Sequence, residues 1–576
     1  MNRVYLSMLV VLLGGSLILV ARSGPENEQI IIAKSFVTLE ADSGNVSAVL
    51  VKKGVITDLG SVSELKAKYP SADIDNRFVD AVMVPGFIDP HVHMILGALI
   101  YSRPFLPPWD MQTPNGVVKG LLSKDAFMSR LRQIESQQQD DSPLIVYGYH
   151  NLIHGEIDRD DLDTISATRS IFVWHYSVHD FYLNSAAINS VGVKASWAEK
   201  MQGVGLDERG RLTGRLYEEA SKSLFTKLAF ELFTPSNVAE GFDGYEGMLA
   251  RAGVTSVAEL GYGLFGKRLE DLYYWLEYTK DDPYHLYLVP EFREFNQRYD
   301  DAVAEIISLS EAKFERGVPK VLPQVKFFVD GAFYSQTMRL SSPGYLSGQS
   351  VGLNGEWATQ PNLLFDQMKP YWDGGLDLRI HSNGDSAQVE TLRVMKALSD
   401  HARQPGQRFI VEHAALLNEP SLEKIRDLGG GVSAASHYVH YMGYEYQSVI
   451  GEKVKNLTPM ASVSRHNIPG SLHSDAPLAP AFPLQAAAVH LSRSTKEGGV
   501  STPSETLTRL EALRSITINA AWALGLENEI GSIKVGKRAN FTILKENPLE
   551  TDASRWADIP VVGVILDGNA SLSQGE

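Results

Sequence analysis

Between residues 83 and 473, short apolar runs of strand length alternate with longer helical stretches, and this alternation limits the fold more than any other feature. The strand candidates are 83–88, 171–174, 254–259, 286–289, 325–330, 378–381, 409–412, 431–434 and 470–473. Strands joined through helices pair in parallel, because each crossover returns the chain to the same end of the sheet. The alternation therefore predicts an α/β domain, and a (β/α)8 TIM-like barrel with long insertions is preferred over an open sheet. Short β-branched runs at 29–40 and 47–58 precede this region, and others at 531–536, 541–544 and 561–566 come after it. Neither end can bury a core alone, so the two are expected to pair into one small β-sandwich. The expected organisation is a leader 1–23, a first sandwich part 24–85, the barrel 86–525 and a second sandwich part 526–576.

The 576 residues carry a formal charge of −16, with 44% hydrophobic and 21% charged residues. That balance supports a large core. The acidic excess argues against nucleic acid or anionic lipid as the main partner; the expected partner is a small-molecule substrate, and a homodimer is a candidate assembly. Cysteine is absent, which removes disulfides, thiolate metal sites and cysteine nucleophiles. Any metal must therefore be held by nitrogen and oxygen. Arg3, the apolar run 4–20 and Ala21-Arg22-Ser23 occur in the order of a secretory signal. An uncleaved anchor is the alternative, but Gly14, Gly15 and Ser16 interrupt the run, which falls short of the ~20 residues that span a bilayer. The mature protein is expected in the periplasm, without stable membrane association.

The first chemical signal is His91-Val92-His93, which closes the stretch Pro85-Gly86-Phe87-Ile88-Asp89-Pro90. Side chains two apart on a strand share a face, so both histidines can reach one ion. Chance alone supplies about 0.4 His-x-His pairs in a chain with 15 histidines, so the pair gains meaning only from residues farther along the chain. Val325-Lys326-Phe327-Phe328-Val329-Asp330 places Lys326 opposite the face of Val325, Phe327 and Val329. A lysine buried there loses part of its basicity, and a free amine can take up carbon dioxide to give a carbamate able to bridge two metals. An ion pair with Asp330 is the alternative. Three further strand ends carry ligand types: His381 before Ser382-Asn383-Gly384-Asp385, His413 after Glu412, and Asp475 after His473-Ser474. In parallel barrels the carboxyl ends of the strands carry the chemistry.

The series His91-x-His93, Lys326, His381, His413, Asp475 resembles the metal site of the amidohydrolase superfamily. Within it the chain is similar to amidohydrolase family 3, the branch that includes N-substituted formamide deformylases. The supporting segments are Val84 to His93, Asn184-Ser185-Ala186-Ala187, Thr213-Gly214-Arg215-Leu216-Tyr217-Glu218, Val325-Lys326-Phe327-Phe328-Val329-Asp330-Gly331 and Gly531-Ser532-Ile533-Lys534-Val535-Gly536-Lys537-Arg538-Ala539, and the resemblance spans residues 30–566. It implies a barrel with a split sandwich, His91 and His93 on one metal, His381 and His413 on a second, and carbamylated Lys326 between them. It places Asp475 beside the nucleophilic water, and His179 matches a family histidine that touches substrate. The sequence departs from the family at Ser382-Asn383, at His473 where many members have glycine, and at Asn540.

The function so implied is metal-dependent hydrolysis of a non-peptide carbon–nitrogen bond, an amide or N-substituted formamide, by attack of metal-bound hydroxide. Zinc, one or two ions per chain, suits imidazole and carboxylate ligands. Asp475 would move the proton from water to the leaving nitrogen, and His179 or His473 would stabilise the oxyanion. A mononuclear deaminase of the same superfamily is one alternative, disfavoured by Lys326 and by the absence of a glutamate after His381. A periplasmic binding protein that has lost the chemistry is the other. His437, Tyr438, His440, Tyr441, Tyr444 and Tyr446 come after the 431–434 strand, and Tyr101, Phe105 and Trp109 lie in the insertion after His93. These aromatics either wall a pocket for an aromatic or apolar substrate or pack the loops.

Overall fold

A computed structural model of the protein describes residues 28–41 and 44–572; the leader expected at 1–23 lies outside them. Strands from both chain ends are hydrogen-bonded into one seven-stranded sheet. Its central strand, Asp73–Pro85, pairs in parallel with Gln29–Phe36 and antiparallel with Phe541–Leu544. The register sets Ile543 opposite Met83 and Phe541 opposite Pro85. One face buries Ile31, Val49, Val51, Met83, Phe541 and Ile565. The other face buries Ile30, Ile32, Ala48 and Leu50 against Leu65 of the helix Val62–Lys68. A capping box starts that helix, with Ser61 and Glu64 satisfying each other's backbone N–H groups.

The middle of the chain forms parallel strands in two sheets. In the first, Phe87–Val92, Val254–Tyr262, His285–Pro290 and Lys320–Val321 lie side by side. In the second the order is Gln324–Phe328, Asp377–Ser382, Phe409–His413, Gly431–Ala435 and Gly470–His473. The sheets touch at both ends: parallel bridges join Glu291 to Lys326 and Val92 to Ala476, and the His93 N–H donates to the Ala476 carbonyl at 2.8 Å. These strands are buried on both sides, as near-continuous apolar runs must be in a helix-covered parallel sheet.

The 171–174 run does not join this parallel series. Ile171–His175 belongs to a separate five-stranded sheet with Leu144–Tyr149, Asp180–Leu183, Leu212–Tyr217 and Val204–Leu206. That sheet sits in the long insertion after His93 and buries an apolar cluster of its own around Phe127, Leu131 and Val146. An apolar run of this length does not reveal which sheet it will join.

The run expected as one strand at 83–88 is also divided. Asp73–Pro85 ends in the terminal sheet and Phe87–Val92 begins the parallel one, with Gly86 as the joint. A Cβ at Gly86 would lie 2.1 Å from Thr255 Oγ1, so only glycine fits there. The Gly86 N–H donates to the Asn540 carbonyl at 2.9 Å, and the Phe87 N–H to Thr542 Oγ1 at 3.0 Å. Among the described residues no helix is long and apolar enough to cross a membrane.

Candidate metal centre

Five parallel-strand ends deliver the polar side chains, and each arrives with its orientation set by a neighbour. His91 is fully buried at the end of Phe87–Val92 and donates from Nδ1 to Glu412 Oε2 at 2.7 Å. A carboxylate only accepts, so the proton stays on Nδ1 and Nε2 keeps its lone pair. Glu412 is fixed in turn by the Arg379 guanidinium, which also donates to the Pro90 carbonyl and to Gln324 Oε1, both at 3.1 Å. His93, at the N-cap of the helix Met94–Tyr101, is held alike: its Nδ1 donates to Glu259 Oε1 at 2.9 Å, while Glu259 Oε2 accepts the Met94 N–H at 2.6 Å. A carboxylate behind each imidazole is the arrangement that turns a histidine into an oriented, more basic ligand.

The free atoms converge. Asp475 Oδ1 lies 3.6 Å from His91 Nε2 and 3.4 Å from His93 Nε2, and its Oδ2 lies 3.4 Å from His413 Nδ1. Lys326 Nζ, buried in the second sheet, lies 3.4 Å from His91 Nε2. It does not pair with Asp330, whose carboxylate accepts the backbone N–H groups of Arg339, Asn383 and Gly384. Burial lowers the Lys326 amine to about 8, against the opposing pull of Glu412 and Asp475. Burial would raise the Asp475 carboxyl, but the histidines around it hold it well below its ordinary value. His413 and Asp475 both adopt left-handed backbone conformations, φ 65° and 55°. Strain of about 1–3 kcal/mol per such residue is typical of sites whose geometry the fold imposes.

Donor atoms of His91, His93 and Asp475, and likewise of His91, His413 and His473, all lie within 4.8 Å of one another. Burial pushes His91, His413 and His473 well below the ordinary histidine pKa, whereas for His93 the hydrogen bonds to Asp475 and Glu259 outweigh burial and raise it to about 9. Buried imidazoles converging on a carboxylate are a donor set that fits a divalent metal. His381 stands apart from both groups. Its ring lies 4.5 Å from that of His413, but its Nε2 faces the Gly331 carbonyl at 3.2 Å and Asn383 Nδ2 at 3.1 Å. His179 is partly buried, with its Nδ1 held by Glu218 Oε2 at 3.0 Å; Glu218 Oε1 accepts from Thr337 Oγ1 at 2.8 Å. Burial lowers the His179 pKa, but Glu218 overrides it and the net shift is upward.

Sequence reasoning missed the supporting acids and the arginine. Glu412 and Arg379 are visible as charges inside apolar strands, Glu412 directly before His413 and Arg379 two residues before His381. Glu259 closes the strand candidate 254–259. Such carboxylates are worth about 10–100-fold in metal affinity. Glu412→Gln is therefore expected to weaken metal binding by that factor, measured by competition with a chromophoric chelator; unchanged affinity would exclude the assigned role.

The aromatic residues divide. Trp109 stacks on Tyr441 with ring centres 4.6 Å apart and meets Tyr176 edge-on at 5.4 Å. Tyr334 donates to or accepts from His437 Nδ1 at 2.8 Å and lies 5.0 Å from Tyr176. This group adjoins the centre through Tyr438, whose ring is 6.5 Å from that of His413. Tyr101 and Phe105 instead pack on Tyr245 and Tyr147, Tyr446 stacks on Phe333, and Tyr444 faces solvent.

A family model described as "Amidohydrolase family" matches residues 79–571. The chain is similar to N-substituted formamide deformylase of Arthrobacter pascens, 25% identical over 548 residues that cover 92% of this chain and 96% of that protein. It shares its fold with an uncharacterized metal-dependent hydrolase of Pyrococcus horikoshii OT3, at TM-score 0.68 and 19% identity over 91% of this chain and 99% of that one. A second such hydrolase, of Pyrococcus furiosus, superposes with TM-score 0.65 and 21% identity over 91% of this chain and all of that one, 100%.

Proposed function

We propose, from the premise that this chain belongs to the amidohydrolase family, that it hydrolyses the carbon–nitrogen bond of an amide or N-substituted formamide with a divalent metal, zinc by the chemistry of its ligands. The observation that carries the reading is the convergence of His91 Nε2, His93 Nε2, His413 Nδ1 and both Asp475 oxygens, with the outer nitrogens of His91 and His93 held by carboxylates. The reading includes closure of the two parallel sheets into a (β/α)8 barrel and curling of the terminal sheet into a sandwich.

His91, His93, His413, Asp475 and Lys326 as a carbamate would hold the metal. When bound, the metal supplies Lewis acidity toward water and toward a substrate carbonyl. Lys326 reaches the carbamate by forming a nitrogen–carbon bond to carbon dioxide and releasing one proton. Asp475 accepts a proton from the attacking water and delivers it to the leaving nitrogen, so one carboxylate serves as base and then as acid. Of the two candidate oxyanion donors, the contacts favour His179. His473 has both nitrogens engaged, with Ser433 Oγ at 2.9 Å and His413 Nδ1 at 3.2 Å. His179 uses only Nδ1, on Glu218, which leaves Nε2 to turn toward developing charge, and the Glu218 carboxylate shifts the ring toward its protonated form. Trp109, Tyr176, Tyr334 and Tyr441 suit an aromatic or apolar group on the substrate nitrogen.

The test is turnover of a panel of N-substituted formamides and acylated amines by metal-replete and chelator-stripped protein. Release of formate and amine, lost on chelation and restored by zinc, is the expected result; metal-independent release or none would overturn the reading. A mononuclear deaminase is the second reading, favoured by the position of His381 outside both donor groups. Ammonia as the product and one metal per chain would establish it.

A further inference from the structure

We propose that His473 is itself a metal ligand, completing with His91 and His413 a three-imidazole site. The inference rests on the metal dependence of the proposed hydrolysis and adds a ligand which that scheme does not contain. His473 ends the strand Gly470–His473 and is buried, with its ring 4.6 Å from that of His91 and 5.2 Å from that of His413. Its Nδ1 faces Ser433 Oγ at 2.9 Å. A hydroxyl there accepts the Nδ1 proton and leaves Nε2 with its lone pair, the tautomer a ligand needs.

Nε2 is then aimed at His413 Nδ1, 3.2 Å away. Two imidazole nitrogens at that distance either share a proton or share an ion. A third imidazole donor, on His91, lies within 4.8 Å of both and favours the second case. Donors about 2.0–2.1 Å from a tetrahedral zinc are ~3.3–3.4 Å from each other along the tetrahedron's edges. The His413–His473 edge is 3.2 Å, and the donor atoms of His91, His413 and His473 all lie within 4.8 Å of one another. His381 cannot take the same place without leaving the Gly331 carbonyl and Asn383. Three protein imidazoles with a fourth position beside Asp475 is also the ligand count of a catalytic rather than a structural zinc site.

Crystals of the zinc-loaded wild-type protein, measured at the zinc absorption edge, test the assignment without any substitution. An anomalous peak about 2.0–2.2 Å from His473 Nε2 is expected. Peaks only at sites more than about 3 Å from that atom would overturn it, beyond any zinc–nitrogen bond. In solution, His473→Gln keeps polarity and approximate volume. It should weaken cobalt(II) affinity by at least about tenfold and change the visible cobalt spectrum. An unchanged spectrum and affinity would overturn the assignment. Neither readout uses turnover. A peak on His473 in a protein inactive on every formamide would refute the hydrolase reading alone, and metal-dependent turnover with no metal near His473 would refute the ligand alone.

Discussion

Replacing Asp475 by asparagine is expected to lower kcat by about 10²–10⁴-fold, the usual worth of general acid–base assistance, while most of the metal stays bound. Asparagine keeps the shape of the side chain and tolerates the left-handed backbone at this position, φ 55°. What it removes is the basic oxygen facing His91 and His93 at 3.6 and 3.4 Å. The histidines remain as ligands, each oriented by contacts that do not involve Asp475: His91 by Glu412, His93 by Glu259, His413 by its strand. KM should change little, because proton transfer is an interaction made mainly in the transition state. Steady-state kinetics beside metal analysis on the same preparation decides the matter. Near-normal kcat, or activity lost only in proportion to lost metal, would show that Asp475 is an anchor and not a shuttle.

Lys326→Ala is expected to lose metal and activity together. The lysine is fully buried, its Nζ 3.4 Å from His91 Nε2, and Asp330 does not hold it as an ion pair. A short carboxylic acid in solution should restore part of both, because truncation opens a space in which a carboxylate can stand for the carbamate. Carbon-13 bicarbonate should give wild-type protein a carbamate resonance that the variant lacks. If the variant keeps its metal and its rate, Lys326 is a packed amine and the centre is built by histidines and Asp475 alone.

Much of the centre is legible in the sequence because its chemistry is carried by local signals. The His91-x-His93 spacing, the lysine inside an apolar run, and strand ends at His381, His413 and Asp475 can all be read within a few residues. What cannot be read is set by partners far apart in the chain. His91 and Glu412 are 321 residues apart, His93 and Glu259 166 apart, and no local pattern joins them. The direction of the His381 ring is decided by Asn383 and the Gly331 carbonyl after folding. Tyr101, Phe105 and Trp109 are equivalent in sequence, yet of the three it is Trp109 that stacks on Tyr441, while Tyr101 and Phe105 pack on Tyr245 and Tyr147. The run at 171–174 is a strand, as its apolar content predicts, but it lies outside the parallel series, because apolar content measures burial and not neighbours.

The joint at Gly86 ties the terminal sheet mechanically to the metal centre. The strand that ends in His91 continues directly from Asp73–Pro85, whose antiparallel neighbour is Phe541–Leu544. Its own first residues are held by Asn540 and Thr542. Both ends of the chain therefore converge on the strand that runs into the metal centre, and losing Phe541–Leu544 would leave the Phe87 N–H without its partner 455 residues away and is expected to loosen the start of the strand that carries His91.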